Sequence, residues 1–172
     1  GPFVEGTEVN IYELSNNNLT SKGSTHITQI TDNLGHFEFT GPISSRYVEI
    51  LADGFYYDEL TGGLSSARIV LRGLEKVKPN TPESNVNILT TLTILRAKNL
   101  VLSGVELESA KTQATNELLT AFNISSPSFN PSEIELTENN ESGAILLAIS
   151  AMLLQASSVD NISSDPATLS QL

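Results

Sequence analysis

Residues 7–14 read Thr-Glu-Val-Asn-Ile-Tyr-Glu-Leu, with Val9 and Ile11 on one side of an extended chain and Glu8, Asn10 and Tyr12 on the other. That two-residue period predicts a half-buried strand. An Asn-, Ser- and Gly-rich loop follows over 15–24, and a β-prone run over 25–31 leads into Thr31-Asp-Asn-Leu-Gly-His-Phe-Glu-Phe39. Asp32 and Asn33 suit a tight turn because their side chains bond nearby backbone amides, and Gly35 supplies a positive φ. Beyond the turn Phe37 and Phe39 share one face of a predicted strand, with His36 and Glu38 on the other. Residues 44–52 and 55–59 are two more strands parted by Asp53-Gly54, and 67–74 is another after the turn at Thr61-Gly-Gly63. Short strands with frequent turns and no intervening helical pattern predict an antiparallel β-sandwich of about seven strands.

Lys78-Pro-Asn-Thr-Pro-Glu-Ser84 marks the boundary, since its two prolines suit a linker rather than a central strand. Past it the period lengthens. Ile88, Leu92, Leu95 and Leu100 predict a helix over 85–102 capped by Ser84, and Ser103-Gly104 breaks it. Leu107, Ala110, Ala114, Leu118 and Phe122 form a second helical stripe, with Lys111 and Glu117 outside it. Residues 125–131 read as a loop, and 133–138 fits neither period. The run over 144–155, with Ser142 as its cap, is apolar all round, so it is expected at the centre of the helical half. Asp165-Pro166 is a further helix-start signal close to the last residue. The resulting expectation is an α+β chain in two parts: a sandwich over 1–78 and a small helical bundle over 84–172, cut off in a final helix.

Composition narrows the function classes. A formal charge of −11 opposes affinity for nucleic acid or anionic membrane. All nine Lys and Arg lie at or before Lys111, so the C-terminal third is purely anionic. With no cysteine, disulfides, thiol nucleophiles and Cys-ligated zinc are excluded. The longest apolar run, near 144–154, falls well short of the roughly 20 residues that span a bilayer. A start without Met or signal sequence is read as a piece of something longer.

The N-terminal half resembles the carboxypeptidase regulatory-like, or transthyretin-like, sandwich modules of bacterial surface proteins. The residues that carry this are Val9-Asn-Ile-Tyr-Glu-Leu14 as first strand, Thr31-Asp32 with Gly35 and Phe37 as the module's turn, and the strand over 48–56 ending in Gly-Phe-Tyr. The whole chain also resembles a segment of predicted bacterial surface lipoproteins. This implies an extracytoplasmic, non-catalytic module, with no cofactor and no functional residue carried over. Related pilin modules place in the first strand a Lys that forms an isopeptide bond, and residues 7–14 contain none.

His26 and His36 are the only histidines, so a Ser-His-Asp site must use one of them. His36 alternates with Phe37 and Phe39, no Gly-x-Ser-x-Gly elbow exists, and a surface histidine is the better reading. Asp32-Asn33, Asp53 and Asp58-Glu59 are candidate oxygen ligands for calcium, but none has the Asp-x-Asp-x-Asp-Gly spacing, and turn chemistry explains them. Tyr47, Phe55, Tyr56 and Tyr57 gather around Asp53-Gly54. Exposed together they would form a contact patch for a glycan or a protein; the alternation favours burial of every second member. Four Asn-x-Ser/Thr sequons, at Asn18, Asn123, Asn140 and Asn161, fall within chance for so Asn- and Ser-rich a chain.

Together these features predict no enzyme and no cofactor or metal. They predict a structural or adhesive module of a larger secreted or cell-surface bacterial protein, with an accessory module binding a glycan or calcium as the alternative. Its partners are the other domains of the parent protein and a glycan or protein ligand.

Overall fold

The structure is a computed structural model that describes residues 1–58, 61–77, 84–125, 128–134 and 140–159. Four strands build the main sheet: β1 (Glu8–Leu14), β2 (Ser21–Gln29), β3 (Tyr47–Gly54) and β6 (Ile69–Lys76), all antiparallel in the order β2-β1-β3-β6. A separate ladder joins β4 (Tyr57–Asp58) to β5 (Gly63–Leu64). The first strand follows the alternation in its sequence. Val9 lies opposite Ala52, and Ile11 lies between His26 and Ile50, so one face carries Val9, Ile11, Val48, Ile50 and Ala52. Phe3 and Ile30 complete this core, and Phe37, Phe39, Ile43 and Val86 pack against it.

Six strands are therefore present among the described residues, not seven, and no second sheet lies face to face on the first. Residues 37–39 form no strand; an isolated bridge between Ile30 and Phe37 is the whole of the pairing there. The segment 31–46 instead lays its apolar side chains over the sheet as a loop, which Gly41 and Pro42 favour by opposing a regular ladder. Lys22 and Gly23, expected in a loop, are drawn into β2, where the register shifts between Tyr12 and Leu14 and Gly23 adopts φ 86°. Such a bulge adds residues to one strand without breaking the pairing on either side. The strand expected over 55–59 contracts to Tyr57–Asp58, and Glu59 lies outside the described residues.

Three helices follow: α1 (Ile88–Leu102), α2 (Leu107–Ala121) and α3 (Glu141–Val159). The cap of α1 is Asn87, not Ser84. Its side chain accepts from Thr90 N at 3.0 Å while Thr90 Oγ1 accepts from Asn87 N at 2.9 Å, a reciprocal capping box. Ser84 donates to Glu75 instead. Likewise Asn140, rather than Ser142, accepts from Gly143 N at 2.8 Å at the start of α3. The apolar helix α3 is not central either: Ile145, Leu146 and Ile149 pack on Leu89, Leu119 and Ile134, while Leu147 and Met152 remain exposed. The helix that touches β6, α2 and α3 is α1. It can be buried despite its threonines because their hydroxyls are satisfied at short range, as Thr93 Oγ1 donating to Leu89 O at 2.7 Å shows.

The sheet and helices share a boundary. Leu14, Leu19, Tyr47 and Leu74 from the β half form one cluster with Ile94 and Leu107. At the edge of the sheet, Arg72 N donates to Thr91 Oγ1 at 2.8 Å and Arg72 O accepts from Thr90 Oγ1 at 2.7 Å. Helix hydroxyls thus occupy the positions a fifth strand would take, leaving this part of the edge satisfied. Ion pairs reinforce the contact: Glu49 on β3 holds Lys98 of α1 at 2.6 Å and Arg72 at 3.6 Å. No helix of the described residues is long and apolar enough to cross a membrane. The linker prolines and the start signal at Asp165 lie outside the described residues.

Candidate functional site

Turn chemistry at 31–36 builds a rigid corner. Asp32 Oδ1 accepts from Leu34 N at 2.9 Å and from His36 N at 3.1 Å, while Oδ2 meets His36 Nδ1 at 2.6 Å. These contacts, the His36 ring first, hold the Asp32 carboxyl below its usual range. Gly35 has φ 84°, the left-handed conformation expected of it. Asn33 Oδ1 accepts from Glu5 N at 3.2 Å, so the turn is tied to the N-terminal segment. Both Asp32 and Asn33 are thus employed by the backbone. Asp53 is employed by Arg68, whose Nε donates to its carboxylate at 3.0 Å. Among the described residues no three His, Asp or Glu side chains converge on one point that would hold a metal ion.

The other histidine also belongs to a carboxylate. His26 Nε2 lies 3.0 Å from Glu13 Oε1, and Glu13 Oε2 accepts from Ser44 Oγ and from Ser44 N. Glu13 is buried although it lies on a strand, and the Ser44 hydroxyl and the His26 ring together lower its carboxyl to about 2 against the opposing effect of burial. Serine, carboxylate and imidazole are therefore present, but in the order Ser44, Glu13, His26. Acyl transfer needs the imidazole between the other two. A carboxylate this acidic is a weak base at neutral pH. What the cluster does is fasten the loop that carries Ser44 to the β1–β2 pair, a contact the alternating sequence pattern hides because Glu13 occupies an inward position.

The four aromatic residues around Asp53-Gly54 divide in two. Tyr47 is 8% exposed and packs with Leu14 and Leu74, and Tyr56 packs against the sheet core. Phe55 and Tyr57 face outward, at 39% and 46% exposure. Tyr57 lies directly across the β4–β5 ladder from Leu64, itself 62% exposed, so the two side chains share a face. The frame beneath them is fixed: Tyr57 N donates to Pro2 O at 2.9 Å, Val4 N to Phe55 O at 3.2 Å, and Tyr56 N to Ser65 Oγ at 3.1 Å. Pro2 also lies against the 31–36 turn, where a Cβ on Gly35 would come within 3.2 Å of Pro2 Cβ. At the tip of that turn Leu34 is 72% exposed. Phe55, Tyr57, Leu64 and Leu34 are therefore exposed on segments that hydrogen bonds and the Pro2 contacts hold in place. Leu34, in a turn, and Leu64, at the end of a two-residue strand, carry no periodic signal in the sequence.

No protein family, curated protein or solved structure matches this chain.

Proposed function

We propose that the chain is a non-catalytic structural or adhesive module of a larger secreted or cell-surface bacterial protein, and that the end bearing Phe55, Tyr57 and Leu64 is where it meets another protein surface. The observation that carries this is the Tyr57–Leu64 cross-strand pair, with Phe55 two residues before Tyr57, left exposed while the backbone of 55–57 is hydrogen-bonded to Pro2, Val4 and Ser65. Aromatic side chains with few rotatable bonds lose little entropy on contact and bury large areas, which suits them to interfaces. The order of parts, first strand, the Thr31-Asp32 turn with Gly35 and Phe37, and a strand ending in Gly54-Phe55-Tyr56, supports a carboxypeptidase regulatory-like arrangement over 1–78 followed by a helical domain over 84–172. That arrangement belongs to the same proposal, as does an extracytoplasmic location.

The test is retention of the fluorescently labelled chain on surfaces coated with extracellular-matrix proteins and on purified bacterial envelope proteins, beside a broad panel of chromogenic ester, peptide and glycoside substrates. The expected outcome is retention on a protein surface, lost with Phe55→Ser and Tyr57→Ser, and no turnover. Turnover abolished by His26→Ala, or uniform absence of retention, would overturn it.

A further inference from the structure

We propose that the groove between α2 and residues 128–133 binds an uncharged oligosaccharide. The groove lies in the helical half and the inference is independent of the contact end described above. It is an open furrow of about 890 Å³, within the roughly 300–1,000 Å³ of small-molecule sites. One wall is a stripe of α2 that carries Ser109, Thr112, Gln113 and Asn116, spaced three and four residues apart. The other is the short stretch Ser128, Phe129 and Asn130.

The far wall is built in place by amide side chains. Asn130 Nδ2 donates to Glu108 Oε2 at 2.7 Å and to Glu133 Oε1 at 3.1 Å, and its Oδ1 accepts from Ser132 N at 3.0 Å. Asn116 Nδ2 spans the furrow to Ser128 Oγ at 2.8 Å, and Asn87 Nδ2 holds Pro131 O from behind at 2.7 Å. Preorganisation of this kind lowers the entropy lost on binding.

What these walls leave unspent selects the ligand. The hydroxyls of Ser109 and Thr112 make no hydrogen bond among the described residues, and Gln113 and Asn116 each use only an amide N–H, keeping their carbonyl oxygens as acceptors. Paired donors and acceptors on planar amides match the vicinal hydroxyls of a sugar, and Phe129, half-buried against the helical core, lines the groove with the part of its ring left uncovered, an apolar surface for one face of a pyranose. An anionic ligand is opposed, because the lining, among the described residues, holds no Lys or Arg and includes Glu108, Glu117 and Glu133. A cation gains little, because those carboxylates are already engaged: Glu117 with Arg96 at 2.6 Å, Glu133 with Asn130, and Glu108 with Asn130 and, at 3.7 Å, Lys111. An extended peptide finds no sheet edge here, since a helix wall has spent its backbone donors on itself.

The test is a titration of the ¹⁵N-labelled full chain with cellohexaose, maltohexaose and chitohexaose, with a heparin-derived hexasaccharide, spermine and an uncharged hexapeptide as the other arms. The expected result is saturable shifts of the Gln113 and Asn116 side-chain amides and of the α2 backbone with a neutral sugar. Kd should rise about tenfold in Thr112→Val or Phe129→Leu, a loss of one good contact. Phe129 also packs against the cluster of Leu119 and Ile134, so the thermal transition of each variant is measured beside its Kd, and Thr112→Val, which keeps the side-chain shape at a half-buried position, separates loss of binding from loss of folding. The proposal is overturned if no neutral hexasaccharide shifts these amides at about 10 mM, tenfold above a Kd of about 1 mM. Binding of a charged or peptide arm instead, or shifts confined to the Phe55–Tyr57 end, would also overturn it.

Discussion

Lys111 Nζ on α2 lies 2.6 Å from Glu75 Oε1 on β6, and both side chains are withdrawn from solvent, at 5% and 13% exposure. Ser84 donates to the same carboxylate oxygen, and Glu108 approaches the ammonium at 3.7 Å. A charge taken out of water in this way is tolerable only while its partner stays. Lys111→Met is expected to cost roughly 1–3 kcal/mol by leaving the half-buried Glu75 carboxylate without its countercharge and held by Ser84 alone, whereas Lys111→Met with Glu75→Leu should recover most of the loss. Urea unfolding of the full chain measures both. Equal destabilisation by the single and the double variant would show that the pair itself, and not the desolvation of one charge, holds α2 to the sheet.

Glu13 sets a pH dependence. Its carboxyl is moved from an ordinary 4.5 to about 2 by Ser44 and then His26. Because the folded group is the more acidic one, the stability it contributes is complete above about pH 4.5 and is lost as pH falls toward 2. Asp32 and Glu117 are depressed as well, by His36 and Arg96 respectively, so the readout is the difference between variant and parent. Glu13→Gln should lower stability near neutral pH and flatten the acid limb over that window. An acid limb identical to that of the parent chain would remove Glu13 from the account.

The turn at 31–36 yields an ordering of variants. Gly35→Val forces a β-branched residue to φ 84° against Pro2 and should cost on the order of 1–3 kcal/mol. Phe37→Ala, at a partly buried position against the sheet core, should cost a similar amount, below the range for a fully buried ring, roughly 3–5 kcal/mol. His36→Ala removes an exposed pair and should be the mildest of the three. Equilibrium unfolding ranks the three, and a His36→Ala more damaging than Gly35→Val would mean that the ring, not the glycine, holds the corner.

Much of this architecture is legible wherever a local period decides it. Val9 and Ile11 announce β1, and the residues from Leu107 to Ala114 announce α2, because one face of each element is buried along its whole length. The turn at Asp32 is legible too, since short polar side chains bond their own backbone. What the period cannot carry is contact between distant elements. Lys111 reads as a surface residue beside an apolar stripe, yet it is buried because Glu75, 36 positions earlier, waits on the sheet edge. Glu13 hides in the same way behind His26 and Ser44. The strand expected at Phe37 and Phe39 fails for the opposite reason: the two alternate as a strand would, but the chain around them takes no ladder partner beyond one bridge. At the candidate contact end, alternation separates Phe55 and Tyr57 from Tyr56, while Leu64 joins them only through the β4–β5 pairing.

The most direct measurement sets retention on a protein-coated surface beside thermal stability for one variant, Phe55→Ser with Tyr57→Ser and Leu64→Ser. If these side chains are exposed for contact, retention falls by at least about tenfold, the loss of a contact hot spot. The melting temperature should meanwhile stay within about 4 °C, roughly 1 kcal/mol for a chain of this size. A melting temperature lowered by much more than that, with retention unchanged, would show that the three side chains serve packing and would contradict the account.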